Sequence, residues 1–242
     1  MTADVGVDTA RTGRLRNKLR PAVTAVVVID VQNDFCSPSG VMHQEGADLS
    51  PVQAMLPNLR RLLTAARAAG ALVVHVRNAY STPDNRYLSQ TFVDVATRRL
   101  SGRALTSTPM CVPGSWGADH APGVGPEGEE PVVEKHRYSG FHQTDLELLL
   151  RVRNIQTVVP CGVATNVCVE STARDAFMRD FHVVFPSDAS ATYYEAAHVA
   201  TLNTIGMHFG EISSVAEIES LWRPVPCHSP LSAAPTTATL RA

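Results

Sequence analysis

The chain has 242 residues, of which 44% are hydrophobic and 18% charged, a balance typical of a soluble enzyme and not of a disordered or fibrous protein. Its formal net charge of −2 gives no electrostatic reason to expect nucleic acid or an acidic membrane surface as a partner. No apolar run approaches the ~18 residues of a membrane span, and the N-terminal residues lack the apolar centre of a signal peptide.

The N-terminal segment, residues 1–20, carries the basic cluster RTGRLRNKLR. We expect this segment to form an arm that is either solvated or in contact with another subunit. The first strong structural signal follows it, the apolar run AVVVID at 25–30. Its β-branched residues continue without a polar break, which is typical of a strand buried on both faces of a parallel sheet.

Five further segments predict strands of the same sheet, and helical patterns separate most of them. They are ALVVHV (71–76), PVVEK (131–135), IQTVVP (155–160), HVVFP (182–186) and the weaker EISSV (211–215). Strands that alternate with helices form βαβ units, in which the strands run parallel and helices cover both faces of the sheet. The sequence therefore predicts a three-layer α/β/α domain over residues 21–223, with a central, mostly parallel sheet of six strands.

Two helices have marked starts. Ser50 and Pro51 have the residue types of an N-cap and a first helical position, and Gly70 is the expected end of that helix, with Pro57 as a point of bending or of a later start. The segment TDLE has the form of a capping box and predicts a helix from Thr144. Apolar spacing predicts three more helices, over about 168–179, about 193–207 and the segment TFVDVATRRL (91–100).

Two segments depart from this alternation. Residues 77–130 are long for a single connection, and loops of that length are usually functional or mobile. We therefore expect a lid or a wall of the substrate pocket there, with residues 102–130 as the part that would close over the site. The tail at 224–242 is rich in Pro, Ala and Thr and is expected to be loose.

The cysteine and lysine contents both point to chemistry. Five cysteines without a CxxC pair indicate a reduced, cytoplasmic protein in which a special cysteine is catalytic and not bridged. The 21 basic residues include only two lysines, Lys18 and Lys135. A lysine that persists among so many arginines suggests a position that needs a compact ammonium group.

Three reactive residues lie at the carboxyl ends of predicted strands. Asp30 ends the first strand, Lys135 ends the third, and Cys168 follows the fourth at the start of a helix. Ligands bind at this edge of open α/β sheets, so we expect an acid, an ammonium and a thiol to meet there. The helix N-terminus and Lys135 are expected to lower the pKa of the thiol. The gain in rate is only about threefold, because a less basic thiolate is a weaker nucleophile.

The chain resembles the isochorismatase-like cysteine hydrolases in three motifs that occur in the right order and strand context. They are VVVIDVQNDF (26–35), EKHRYSGF (134–141) and GVATNVCVESTARDA (162–176). The resemblance implies a Rossmann-like fold, cleavage of C–N bonds in small amides and ureido compounds, and a catalytic triad of Asp30, Lys135 and Cys168. It also implies a non-proline cis peptide bond before Ala164, and an oxyanion hole formed by the main-chain N–H groups of Ala164 and Cys168.

The resemblance also suggests the substrate class. RYSGF together with ATNVCVEST is most similar to the ureidoacrylate and biuret amidohydrolases, so we expect a linear ureido or N-carbamoyl compound and a thioester intermediate. Family members are dimers or tetramers, which suggests a homo-oligomer. Side chains in segments able to wall the pocket are the expected substrate contacts: Phe35, Asn78, Tyr80, Trp116, Tyr138 and Phe141.

Other interpretations remain open. Nicotinamidases of the same superfamily bind a metal through an Asp-x-His pair after the second strand, but HVRNAYSTPDNRY holds no such pair. We therefore expect no metal and no other cofactor. Isochorismatases cleave a vinyl ether without needing a thiol, and the presence of Cys168 favours acyl transfer without excluding the ether. A catalytically silent binding or assembly protein is the remaining alternative.

Overall fold

The computed structural model describes residues 4–79, 81–82, 84–99 and 109–223. Within these residues a seven-stranded sheet forms, and all pairings between its strands are parallel. The strands are β1 (Thr24–Ile29), β2 (Leu72–Asn78), β3 (Val132–Lys135), β4 (Thr157–Val163), β5 (His182–Pro186), β6 (Ser190–Ala191) and β7 (Glu211–Ser213). Six of them follow the order β3-β2-β1-β4-β5-β7, and the two-residue β6 pairs with β4.

Helices cover both faces of this sheet. They are α1 (Asp4–Lys18), α2 (Asn33–Cys36), α3 (Val41–Gln44), α4 (Ser50–Ala69), α5 (Gln90–Arg99), α6 (Leu146–Val152), α7 (Glu170–Phe177), α8 (Glu195–His208) and α9 (Val215–Trp222). A hydrophobic cluster lies on each face of the sheet. The first contains side chains of α1, α4 and α9, and the second contains side chains of α6, α7 and α8. Among the described residues, no helix combines the length and the apolar character that crossing a membrane requires.

The central strand β1 explains why the sheet has two cores. Its alternate residues point to opposite faces, so Val26 and Val28 enter the first cluster while Ala25, Val27 and Ile29 enter the second. All six residues of β1 are buried. The uninterrupted apolar run in the sequence is the consequence of burial on both faces, and the predicted three-layer α/β/α fold is confirmed.

The strand count and one strand end differ from the expectation. The sheet has seven strands and not six, because β6 spans only two residues and is too short to produce a periodic pattern. The segment EISSV is extended only through Ser213. Ser214 instead caps α9, since its hydroxyl accepts a hydrogen bond from the Glu217 N–H at 3.1 Å.

Helix α4 begins at Ser50, as predicted, but Leu49 occupies the N-cap position. The helix passes through Pro57 without ending, and Gly70 ends it with a φ of 76°. The amide of Gly70 donates to the carbonyls of Ala66 and Arg67, as expected of a glycine that closes a helix.

Helix α6 begins at Leu146, two residues later than predicted, after an N-cap at Asp145, which makes no side-chain cap. The Thr144 hydroxyl accepts from the Leu146 N–H at 3.3 Å, as a capping hydroxyl does, and donates to the Gly140 carbonyl at 2.5 Å. The second half of the predicted capping box is replaced by an ion pair between Glu147 and Arg179 at 2.9 Å.

The N-terminal segment packs on the domain over its second half. Leu15 and Leu19 are buried in the first hydrophobic cluster. The indole N–H of Trp222 in α9 donates to the Leu19 carbonyl at 2.7 Å, and Lys18 forms an ion pair with Glu211 of β7 at 2.6 Å. Helix α1 is therefore joined to the last strand and the last described helix of the sheet domain.

Candidate active site

The strand order reverses between β1 and β4, which is where open α/β sheets form a crevice at their carboxyl edge. Asp30 directly follows β1, and the turn containing Cys168 follows β4. Lys135 is the last residue of β3, which is separated from β4 by β2 and β1. Its side chain crosses the end of β2, where Asn78 is its partner in the strand register.

The three predicted residues are in contact. Lys135 Nζ lies 2.7 Å from Asp30 Oδ2 and 3.4 Å from Cys168 Sγ. The same ammonium donates to the carbonyl of Arg137 at 3.0 Å. The acid, the ammonium and the thiol therefore form one cluster, with the ammonium between the other two groups.

This cluster is almost completely enclosed, with relative exposures of 0% for Lys135, 1% for Asp30 and 7% for Cys168. Burial raises the pKa of Cys168 to about 12, although Lys135 acts to lower it. Burial likewise raises the pKa of Asp30 above its ordinary value, against the opposing effect of Lys135. The expectation of a lowered thiol pKa is wrong, because lost solvation outweighs one nearby ammonium. Burial therefore favours the protonated thiol in the free protein.

Asp30 adopts a backbone conformation that few residues other than glycine tolerate, with a φ of 52°. Its N–H still donates to the carbonyl of Val76 in β2 at 2.9 Å. An aspartate occupies such a left-handed position more easily than a branched or bulky residue does. The conformation ends the strand and turns the carboxylate toward Lys135.

The connection from β4 to α7 places the thiol. The peptide bond between Val163 and Ala164 is cis, as the family resemblance implied. Residues Thr165–Val169 then form a π-helix, and the regular α7 begins only at Glu170. Cys168 thus lies in a π-helical turn and not in the first turn of an α-helix, a feature that apolar spacing did not reveal. Single π turns inside longer helices occur often at functional sites.

Two polar residues that the motifs contained, but that we did not single out, hold the strand ends together. The amide of Gln32 donates to the carbonyls of Asn78 and Ala118, at 3.1 and 3.0 Å, and accepts from the Asn78 N–H at 2.8 Å. The hydroxyl of Thr172 donates to the Cys168 carbonyl at 2.7 Å and accepts from the Gly140 N–H at 2.9 Å. Gln32 is fully buried. A polar residue within an otherwise apolar motif was the feature of the sequence that could have indicated its role.

The proposed substrate contacts have different surroundings. Asn78 is buried and is paired with Lys135 in the register of β2 and β3. Tyr138 is partly buried, and its ring lies 5.5 Å from that of Phe92. Phe35 and Phe141 belong to opposite hydrophobic clusters, and Phe141 packs on Phe181 just before β5. Trp116 is 51% exposed. Tyr80 lies outside the described residues.

The long connection is anchored beside the site where the structure describes it. The Asp34 carboxylate accepts from the Cys111 N–H at 2.7 Å, and the Asn33 amide donates to the Trp116 carbonyl at 2.8 Å. The Ala121 N–H donates to the carbonyl of Val31 at 2.9 Å. Residues 109–121 therefore pack on the segment that follows Asp30, while positions 100–108 lie outside the described residues.

Within the described ranges no group of three His, Cys, Asp or Glu side chains is placed to hold a metal ion. His75, from the middle of β2, instead contacts the Glu130 carboxylate through Nε2 at 3.0 Å. Its ring lies edge-on to that of His120, with 5.2 Å between centroids.

The Isochorismatase domain matches residues 24–217 of this chain, a range that includes every strand and all three residues of the cluster. The chain belongs to the isochorismatase family. The match begins at β1, so helix α1 lies outside the part that defines the family.

This isochorismatase-family chain is similar to ureidoacrylate amidohydrolases named RutB. The one from Methylobacterium radiotolerans is 36% identical over 220 residues, which cover 89% of this chain and 85% of the relative. The one from Acinetobacter baylyi is 34% identical over 207 residues, which cover 81% and 82% of the two chains. Family and relatives together identify a hydrolase that acts on C–N bonds other than peptide bonds.

Solved structures of the family have the same fold. A cysteine hydrolase from Pseudomonas syringae pv. phaseolicola superposes with a TM-score of 0.71 at 29% identity, covering 84% of this chain and 93% of that protein. Nicotinamidase PncA from Bacillus subtilis superposes with a TM-score of 0.65 at 25% identity, covering 79% and 98%. Both comparisons support the isochorismatase-like α/β architecture.

Proposed function

We propose that this protein is a cysteine-dependent amidohydrolase that cleaves a C–N bond of a linear ureido or N-carbamoyl compound. The observation that carries the proposal is the contact of Lys135 Nζ with both Asp30 Oδ2 and Cys168 Sγ, at 2.7 and 3.4 Å. The similarity to two ureidoacrylate amidohydrolases supports the substrate class.

The first step is attack of Cys168 Sγ on the substrate carbonyl. Because the resting thiol is protonated, a base must take its proton as the S–C bond forms, and Asp30 fulfils this role across the same cluster. A raised pKa makes the Asp30 carboxylate a stronger base than an ordinary aspartate. Lys135 stabilises the negative charge on either group as the proton moves.

The second step is loss of the nitrogen leaving group. The main-chain N–H groups of Ala164 and Cys168 form the oxyanion hole, and one such donor contributes about 10²–10³ in rate. Asp30 returns its proton to the departing nitrogen, and general acid–base help of this kind contributes about 10²–10⁴. The C–N bond breaks and leaves an S-acyl enzyme, which is a thiocarbamate when the acyl group is carbamoyl.

The third step is hydrolysis of this thioester. Water attacks the acyl carbon while Asp30 accepts its proton, the C–S bond breaks, and the proton returns to Cys168 Sγ. The free protonated thiol is restored, so no oxidant, metal or cofactor is needed for the balance of atoms and charge.

The test is ammonia release from ureidoacrylate, biuret, N-carbamoyl amino acids, nicotinamide and simple aliphatic amides. We expect turnover of a ureido or N-carbamoyl compound, and a loss of at least about 10³-fold in Cys168→Ala, because the nucleophile is absent. The matched control is Cys161→Ala, which removes another buried thiol, in β4, that donates to the Val27 carbonyl at 3.5 Å.

Near-normal ammonia release by Cys168→Ala would contradict the covalent mechanism. Release from nicotinamide alone would contradict the substrate class but leave the nucleophile in place. If the wild-type protein releases ammonia from none of these compounds, the ether-cleaving or non-catalytic alternatives are favoured. Isochorismate is then the next compound to test.

A further inference from the structure

Helix α8 contacts the turn that carries Cys168 at two points. Nδ1 of His198 lies 3.0 Å from Oγ1 of Thr165, the first residue of the π-helix. One helical turn later, the Thr201 hydroxyl donates to Glu170 Oε2 at 2.6 Å, and Glu170 directly follows the π-helix. Two residues on one side of α8 therefore hold the two ends of the turn, with Cys168 between them.

Nδ1 of His198 and the hydroxyl of Thr165 form a hydrogen bond inside the protein. Burial lowers the pKa of His198, with Ser187 and Glu195 opposing. The Thr165 side chain is fully buried, which leaves water no access to replace this bond.

Main-chain hydrogen bonds define the turn at both ends. The Ala164 carbonyl accepts from both the Val167 N–H at 3.0 Å and the Val169 N–H at 3.2 Å, and the Glu170 N–H donates to the carbonyls of Thr165 and Val167. Turns of this π type are rare and occur often at functional sites. The 3.4 Å separation of Cys168 Sγ and Lys135 Nζ depends on how this turn is held.

We propose that His198 and Thr201 are positioning residues, which hold the π-helical turn at Thr165 and Glu170 so that Cys168 stays in reach of Lys135 and Asp30. The proposal deepens the function proposed above and rests on Cys168 as its nucleophile. Neither residue touches the reacting atoms, so loss of a contact weakens catalysis through the position of the sulfur. Misplacement of a reacting group by about 1 Å can cost about 10²-fold in rate.

The central test compares Thr165→Val with Thr165→Ser. Valine has the shape of threonine without the hydroxyl, whereas serine keeps the hydroxyl, so the pair separates the hydrogen bond from packing. Thr201→Val and Thr204→Val form a second pair on the same helix, since the hydroxyl of Thr204 donates only within α8, to the Ala200 carbonyl at 3.0 Å. Urea unfolding of each variant identifies any that lose the fold.

Two measurements are made on every variant. The first is kcat and KM with the panel compound that the wild-type protein hydrolyses. The second is the rate at which iodoacetamide alkylates Cys168, followed by mass spectrometry, which requires no substrate. Loss of the contact alters both the exposure of the sulfur and its distance from Lys135. We therefore expect the alkylation rate to change, and the dominant effect decides whether it rises or falls.

We expect Thr165→Val and Thr201→Val to lower kcat by about 10-fold or more with KM within about twofold, and to change the alkylation rate of Cys168 by at least about threefold. Thr165→Ser and Thr204→Val should stay close to the wild type in both. Folded valine variants with unchanged alkylation overturn the proposal. If Thr165→Val does not fold, Thr201→Val and His198→Leu carry the test.

Failure of the proposed function has a different signature. In that case the wild-type protein hydrolyses nothing in the panel, yet the alkylation of Cys168 still separates the valine variants from the serine and Thr204 controls if α8 holds the turn. Equal alkylation rates in all folded variants overturn the positioning role whether or not a substrate has been found.

Discussion

A lysine side chain with no exposed surface loses its hydration and must be paired to remain charged. Lys135 meets that condition through Asp30, Cys168 and the Arg137 carbonyl, all within 3.4 Å. Breaking a buried ion pair by removing one partner leaves the other charge without compensation. The free energy of unfolding should therefore be more sensitive to Lys135 than to any surface cation.

The two lysines of the chain allow a matched comparison at the residue scale. We expect Lys135→Met to lower the free energy of unfolding by about 3–5 kcal/mol. Lys18→Met, which breaks a more exposed pair with Glu211, should cost about 1 kcal/mol or less. Urea unfolding at pH 7 measures both. The double variant Lys135→Met/Asp30→Asn should recover part of the loss, because it removes the unpaired carboxylate and asparagine tolerates a positive φ. Equal losses in the two lysine variants would contradict this account of the cluster.

At the scale of elements, the end of β4 is the most constrained part of the site. Gly162 has a φ of 114°, and a Cβ built on it would lie 2.2 Å from the carbonyl oxygen of Ile29 in β1. Ile29 and Gly162 are paired in the register of β1 and β4, and the Ile29 oxygen is a main-chain atom, so it cannot move aside easily. Glycine at this position lets the two strands come together directly before the turn that carries Cys168.

We expect Gly162→Ala to lower the free energy of unfolding by about 2 kcal/mol or more, through the clash and the disfavoured φ. Gly13→Ala is the control, since an added Cβ there meets nothing within 4 Å in the helix α1. That change should stabilise the protein by about 0.5–1 kcal/mol, because alanine loses less entropy in a helix. Denaturant unfolding compares the two, and a neutral Gly162→Ala would show that β1 and β4 have room to separate.

Elements also differ in how well local sequence predicts them. The five longer strands were predictable because burial on one or both faces requires apolar residues at fixed spacing. The π-helix at Thr165–Val169 was not, because it is held by contacts with His198 of α8 and with the Thr172 hydroxyl of α7. The capping box at Thr144 formed only in part for a similar reason, since the Glu147 carboxylate pairs with Arg179, a residue far along the chain.

At the scale of the whole molecule, a chain of polar groups runs from α4 through β2 to the long connection. The guanidinium of Arg67 pairs with Glu130 at 2.7 Å, Glu130 contacts His75, and the His75 ring meets that of His120. Burial lowers the pKa of His75 and lowers that of His120 to about 4. Neither ring nitrogen of His120 has a hydrogen-bond partner among the described residues.

The sign of the resulting pH dependence follows from these directions. A histidine whose pKa is lowered by folding binds fewer protons in the folded state, so stability falls as pH falls from about 6.5 to about 4. Each such histidine adds a slope of at most about 1.4 kcal/mol per pH unit. Between pH 7 and 5, His120→Leu should therefore unfold with a weaker pH dependence than the wild type, as measured by urea unfolding at several pH values. An unchanged slope in His120→Leu would show that folding does not lower the pKa of His120.

The sequence by itself determined the sheet, the family motifs and the three residues that converge at its edge. Each of these depends on local composition: β-branched runs for the strands, and Asp30, Lys135 and Cys168 at or soon after the strand ends. Parallel strands then bring their carboxyl ends to one edge whatever the loops do.

Only the tertiary structure decided the environment of those residues. The raised pKa of Cys168 follows from solvent exclusion by many distant segments, and no local pattern reports how completely a site is enclosed. The contacts of Gln32, Thr172 and His198 join residues that are far apart in the chain. Hydrogen bonds of this kind depend on where several elements pack against one another. The identity of a single polar residue in the sequence does not predict that packing.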